Sequence, residues 1–376
     1  VEPMTTSPIP QPVFWNQLNE QQQAVLLDRP VQKTSVQLRQ QVELILQKVQ
    51  QSGDEALCDF TAQFDGVALE SPVFCQWSAR EQAEKLAGNV KSAIDQAFDN
   101  IARFHEAQRP QNTEIETSPG IICQQRFTAL QRVGLYIPGG TASLPSTVLM
   151  LGVPAMLAGC EQRVLISPPD QQGLLSPAIC YAALKCGVTQ VCLVGGAQAI
   201  GALAFGTESI PAVDKIFGPG NSYVTEAKQQ VSQVAGGPAI DLPAGPSELL
   251  VIADDTADPE FVAADLLSQA EHGADSQVLL LTPSETLANN VLEALQRQLA
   301  QLPRADIAQQ ALQASSLIVT DTIEDAVKVS DRYAPEHLSL QTDSAEQLLE
   351  QVRNAGSVFV GHYTPESGGD YATGTN

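Results

Sequence analysis

Cations are scarce in this sequence: 20 Lys and Arg stand against 43 Asp and Glu, a formal charge of −23 over 376 residues. A reader of nucleic-acid backbones needs clustered Lys and Arg, so DNA and RNA are not expected partners. A nucleotide cofactor is not excluded, because helix N-termini and glycine-rich turns hold phosphates through backbone N–H groups. Aromatic residues are few, at 5%, and no apolar run is long enough to span a bilayer, so no membrane partner is expected. The seven cysteines, at 58, 75, 123, 160, 180, 186 and 192, include no CxxC pair, and several lie in apolar stretches. Reduced, mostly buried thiols are expected rather than a disulfide framework. The opening VEPMTTSPIPQPVFW lacks the basic segment and apolar core of a signal peptide, and a cytoplasmic location is expected.

What is present is length and rhythm. The chain is 43% hydrophobic and long enough for two or three domains with cores of their own. Residues 15–30 are polar and Gln-rich and read as a short peripheral helical segment. From 37 to about 108 the pattern is helical: Leu38, Val42, Ile45, Leu46 and Val49 share one face, and Val90, Ile94, Phe98 and Ile101 another. His105 reads as a surface residue. Short apolar runs then alternate with helical stretches. The runs are 133–137, 163–167, 190–194, 214–217, 248–253, 277–282, 316–320, 337–341 and 357–361. Strand–helix alternation of this kind predicts an α/β protein with parallel sheets covered on both faces, and about nine strands predict two sheets.

Three of these strands end in glycine-rich turns: LYIPGGTASLPST, LVGGAQAIGALAFG and IFGPGNSYVTEAKQQV. None is a GxGxxG fingerprint or a P-loop, and each alone reads more readily as a plain connector. Together, at the carboxyl ends of strands, they point to a nucleotide or small-molecule cleft.

The stretch LLSQAEHGADSQ, 266–277, closes an otherwise oily helix. Asp258, Pro259 and Glu260 form an N-terminal signature, and Gly273 reads as the stop. Asp265, Ser268, Gln269 and His272 make a polar stripe that faces either water or a polar site. Gln269 and His272, with Asp370 of SGGDYATGTN as a third donor, could hold a metal; glutamine is a poor zinc ligand, and a solvated stripe stays open. In RYAPEHLSL, Glu336 and His337 are an acid and a base suited to proton transfer, with a surface loop as the plain alternative. His362 reads as a loop residue.

The motifs GLYIPGG, GGAQAIGALAFGTE, KIFGPGN, AIDLPAGPSE, LLSQAEHG, APEHL, AGSVFVG and GDYATGTN, in order from about Phe14 to Asn376, resemble the histidinol dehydrogenase family. The resemblance implies two Rossmann-like domains, one inserted in the other. The outer would be 31–135 with 247–376, the inner 136–246, and 1–30 a peripheral segment. It also implies a homodimer that oxidises L-histidinol to L-histidine through histidinal with NAD and one zinc ion per subunit, the last step of histidine biosynthesis. Gln269, His272 and Asp370 would be zinc ligands, and Glu336 and His337 the catalytic pair. Tyr136, Gln198 and Asn221 match positions that contact NAD. Ser247, Gln269, His272, His337 and Asp370 match positions that contact substrate. In the family a further stretch and a small C-terminal domain follow GTN. They donate a zinc-binding His and a substrate-contacting Glu to the partner's site, and the sequence here stops before them. A dehydrogenase of another small amino- or sulfo-alcohol, or a tail-less inactive NAD-binding form, are the alternatives.

Overall fold

The computed structural model describes residues 9–30, 36–74, 76–139, 144–241, 245 and 247–375. Cys75, part of the first glycine turn (140–143) and most of the PAGP stretch lie outside the described residues. The chain divides into two compact units. A terminal unit combines Val1–Gln32 with Gly245–Gly369, and a central unit combines Lys33–Ala244 with Asp370–Asn376.

Each unit is built on a six-stranded sheet. In the central unit the strands lie in the order Val73–Phe74, Gln190–Leu193, Gln162–Ser167, Arg132–Tyr136, Lys215–Phe217, Ala239–Ile240. All run parallel except the first, which pairs antiparallel with its neighbour. Chain order reverses between Arg132–Tyr136 and Lys215–Phe217, a doubly wound switch point. Because side chains alternate across a strand, Val164 and Ile166 pack on helices Val36–Phe64, Gly196–Phe205 and Ser222–Ser232, while Leu165 packs on the opposite layer. That opposite layer holds helices Gln76–Glu84, Gly88–Ala107, Pro145–Ala158 and Pro177–Lys185.

The terminal unit is entirely parallel, in the order Val13–Phe14, Ser316–Val319, Gln277–Thr282, Glu248–Ala253, His337–Gln341, Ser357–Val360. Leu249, Val251 and Ala253 face helices Pro259–Ala270, Glu285–Leu299 and Ala305–Leu312. Leu250 and Ile252 face helices Glu20–Leu27, Ile323–Tyr333 and Ala345–Leu349. Burial on both faces explains why these strands read as unbroken apolar runs.

All nine expected strands form, in two six-stranded sheets as expected, and a third, two-stranded sheet is present among the described residues. The expected domain boundaries differ. Residues 33–135 pack with the central unit, not the outer one, because Val73–Phe74 joins its sheet edge and the helix Val36–Phe64 covers its face. The N-terminal segment is not merely peripheral: Val13–Phe14 pairs with Ser316–Val319 as an edge strand. A hairpin, Thr113–Ser118 with Ile121–Gln125, was not foreseen and is exposed along both strands. Six described cysteines are free thiols and four of them are buried. Burial pushes the Cys186 and Cys192 thiols up to about 12, as expected of inert core residues.

Candidate functional site

The carboxyl ends of the central sheet open into a cavity of about 1140 Å³. Tyr136, Gln198 and Asn221 all line it. Each arrives by a simple local rule. Tyr136 is the last residue of its strand, and its hydroxyl oxygen accepts the Gly196 N–H at 3.2 Å. Burial pushes the Tyr136 phenol up to about 12, with the carboxylate of Asp65 adding to the effect. Gln198 sits buried in the first turn of the helix Gly196–Phe205. Asn221 is the N-cap of Ser222–Ser232, its side-chain oxygen accepting the N–H groups of Tyr223 and Val224, both at 3.1 Å.

The GPGN turn, which ends at that cap, is held by an ion pair of a buried lysine with a half-buried aspartate. Asp241 accepts the Gly218 N–H at 2.7 Å, Lys228 donates to the Gly218 carbonyl at 2.9 Å, and Lys228 and Asp241 pair directly. Only glycine fits at 218: its φ is +130°, and a Cβ would lie 2.1 Å from the Tyr136 carbonyl oxygen. Among the described residues no lysine or arginine lines the cavity. Asp65 does, with Oδ2 buried and without a hydrogen-bond partner, and burial pushes its carboxyl above the usual range.

The terminal unit carries the other expected residues except Asp370, and Glu336, His337 and Ser247 lie at the amino ends of its strands. Glu336 precedes and His337 begins the strand His337–Gln341, while Ser247 precedes Glu248–Ala253. The His337 Nδ1 lies 2.9 Å from the Glu248 carbonyl oxygen. A carbonyl only accepts, so Nδ1 carries the proton and Nε2 is left as the basic nitrogen. The Glu336 carboxylate accepts the Glu248 N–H at 3.2 Å and stands 3.8 Å from His337 Nδ1. Glu336 is thus an exposed residue of the bend before the strand, tied by its carboxylate to the Glu248 N–H, while His337 is half-buried beside it. Gly356 lets the adjoining loop approach, since a Cβ there would lie 2.6 Å from the Glu336 carbonyl oxygen.

The polar stripe is split: Asp265 and Gln269 face inward, Ser268 is half-buried and His272 is exposed. Asp265 is 6% exposed and Gln269 0%. The helix ends at Ala270, three residues before the expected Gly273 stop, and His272 sits on the following turn. Gln269 Nε2 and His272 Nδ1 are 3.2 Å apart, and the Gln269 Oε1 is buried with no partner. Asp370, with a left-handed φ of +51°, belongs to the central unit. There its turn is tied by Asn100 donating to the Ala372 carbonyl at 2.7 Å. Among the described residues no three of His, Cys, Asp and Glu converge as a metal site.

Sequence reasoning missed several neighbours of these groups. Asp265 accepts from Gln341 Nε2 at 2.8 Å and from the Glu366 N–H at 3.2 Å, and burial pushes its carboxyl up to about 6. Glu248, Arg29, Asp65 and the Lys228–Asp241 pair were also unforeseen, because long-range pairing leaves no local signal. His362 lies in the turn after Ser357–Val360, as its sequence reading has it, with Nε2 3.1 Å from Asp343.

A doubly wound sheet whose switch-point cavity is ringed by glycine turns and a helix N-terminus defines an α/β protein of the doubly wound class, with its cleft at the carboxyl ends of the strands. The comparisons narrow that class. Residues 27–376 match the histidinol dehydrogenase family model, and the chain belongs to that family. It is 60% identical over 362 residues to the histidinol dehydrogenase of Idiomarina loihiensis, covering 96% of this chain and 82% of that one. It is 53% identical over 364 residues to that of Vibrio parahaemolyticus, covering 97% and 84%. The crystal structure of histidinol dehydrogenase from Elizabethkingia anophelis matches with a TM-score of 0.94 at 45% identity, over 99% of this chain and 84% of that one.

Proposed function

We propose that this chain oxidises L-histidinol to L-histidine through histidinal, passing two hydrides to NAD+, as the last step of histidine biosynthesis. The observation that carries the cofactor half is the meeting of Tyr136, Gln198 and Asn221 in one cavity at a switch point. The chemistry of its lining favours NAD over NADP. A 2′-phosphate would find no cation among the described lining residues and would meet the Asp65 carboxyl group there, whereas an uncharged ribose hydroxyl meets no such penalty.

Proton transfer falls to Glu336 and His337. In the first oxidation the unprotonated Nε2 of His337 takes the alcohol proton as hydride leaves the carbinol carbon. In the second, Glu336 takes a proton from the water that adds to the aldehyde, and hydride leaves the resulting hydrate. Gln269 carries an orphaned buried Oε1, and its amide lies against the His272 imidazole through Nε2; this amide and imidazole are proposed as zinc donors, with Asp370 as a third. When bound, zinc would hold the amine and imidazole of the substrate as a template. Ser247, Gln269, His272, His337 and Asp370 are the proposed substrate contacts.

We further propose a homodimer. The exposed hairpin carries Ile115, Ile121 and Ile122, each more than half exposed, followed by exposed Phe127 and Leu130, an apolar surface suited to a second copy. Among the described residues no helix is long and apolar enough to cross a membrane. The free buried thiols support a reducing, cytoplasmic setting.

Calorimetric titration of the chain with NAD+ and NADP+ tests the cofactor assignment. NAD+ is expected to bind and NADP+ to bind more weakly, by about tenfold or more, with the gap narrowing in Asp65→Asn as the repelling charge is removed. Binding of neither dinucleotide would remove the assignment.

A further inference from the structure

Glu248 is 5% exposed, a carboxylate shut away from water at the start of its strand. A buried carboxylate needs a partner, and Arg29 supplies it. The Arg29 Nε and Nη2 donate to the two carboxylate oxygens, the second at 3.0 Å. The same Nη2 donates to the carbonyls of Tyr333, at 2.9 Å, and Ala334, at 3.0 Å, and the guanidinium lies 4.4 Å from the centre of the Tyr333 ring. Arg29 thus also caps the end of the helix Ile323–Tyr333, where Ala334 turns left-handed at φ +56°. Two residues beyond that turn stand Glu336 and His337.

Glu248 meets both of them. Its carboxylate accepts the Glu336 N–H at 3.4 Å, its own N–H donates to the Glu336 carboxylate at 3.2 Å, and its carbonyl holds the His337 ring at 2.9 Å. We propose that the Arg29–Glu248 pair is a positioning device for His337 and Glu336: it fixes the His337 tautomer through the Glu248 peptide and balances the charge beside both side chains. The proposal rests on the reading that His337 and Glu336 perform the proton transfers. Glu336 stands 3.8 Å from the His337 ring and Phe359 packs beside it without charge, while the Glu248 carboxylate, Arg29 and Tyr333 lie a contact further out, reached through the Glu248 peptide.

The two members of the pair act on His337 with opposite sign. Removing the Arg29 cation leaves Glu248 uncompensated and favours imidazolium, so the titration of His337 moves to higher pH. Removing the Glu248 charge leaves the cation and moves it to lower pH. Loosening of structure alone gives no such opposition.

The experiment is 15N-histidine NMR of the full chain across pH, in the parent, Arg29→Gln, Arg29→Lys and Glu248→Gln. Only four histidines are present, and His337→Asn identifies the relevant signal. The parent is expected to show the Nδ1–H tautomer at His337. In Arg29→Gln the midpoint rises by about half a unit or more, and in Glu248→Gln it falls by a similar amount. Arg29→Lys, which keeps the charge, stays close to the parent. If Glu248→Gln does not fold, the two Arg29 variants decide. Unchanged midpoints in folded Arg29→Gln, or shifts of the same sign in both charge-removing variants, would overturn the proposal. Loss of histidinol-dependent NADH formation in the parent would count against the function itself and leave this readout standing.

Discussion

At Gln269 an amide oxygen is sealed from water with nothing to accept from. A buried acceptor left unpaired costs free energy in a metal-free chain, so this oxygen adds nothing to stability there. Gln269→Leu is expected to leave the metal-free chain as stable or more stable, by up to about 1 kcal/mol, in denaturant unfolding. Zinc binding, measured by competition with a chromogenic chelator, is expected to weaken in the same variant. A clear loss of stability would mean that the oxygen has a structural partner. Asp265 behaves differently. Its folded carboxyl is raised to about 6 from 3.8, chiefly by burial, so the folded state binds that proton more tightly than the unfolded chain. Its contribution to stability is therefore full below about pH 4 and is lost as pH rises through about 6. Relative to Asp265→Asn, the parent is expected to lose roughly 2–3 kcal/mol across that window, measured by thermal melts at each pH. An identical pH dependence in both would remove Asp265 as the group responsible.

Among the elements, the GPGN turn shows how the sequence holds an unfavourable backbone. Gly218 lies against Tyr136 at a φ that side chains rarely adopt, and the Lys228–Asp241 pair grips both its N–H and its carbonyl. Lys228→Met is expected to cost about 3 kcal/mol, because Asp241 loses its buried partner, and to weaken NAD+ binding. Denaturant unfolding and calorimetry read the two effects, and a variant with lowered stability but unchanged NAD+ affinity would show that the turn does not shape the cavity. The turn itself was legible in the sequence, as were the strands around it, because period and glycine are local signals. Gln269 beside His272 was also legible from spacing. Arg29 with Glu248, 219 residues apart, was not, since nothing local announces which distant cation will meet a carboxylate. The Gly273 stop was wrong for a related reason: glycine marks where a helix can end, while packing and the next turn decide where it does.

For the whole molecule, the two-sheet α/β plan followed from strand–helix alternation, but the allocation of residues 33–135 did not. Their helices look alike on paper, and only the antiparallel edge strand Val73–Phe74 and the faces of the sheet decide which unit they cover. The exposed hairpin was likewise hidden, since TEIETS and IICQQ bury nothing within the chain. Sedimentation equilibrium is expected to show a dimer in the parent and a shift toward monomer in Ile115→Lys with Ile122→Lys. An unchanged dimer would place the interface elsewhere.

The most direct measurement is NADH formation from L-histidinol, with zinc supplied, on the parent and on Glu336→Gln. The parent is expected to form NADH, and the variant to fall by about 10²–10⁴-fold, the scale of a lost general acid–base group. No NADH from the parent, or equal rates in both, would contradict the assignment of histidinol oxidation to this chain and of proton transfer to Glu336.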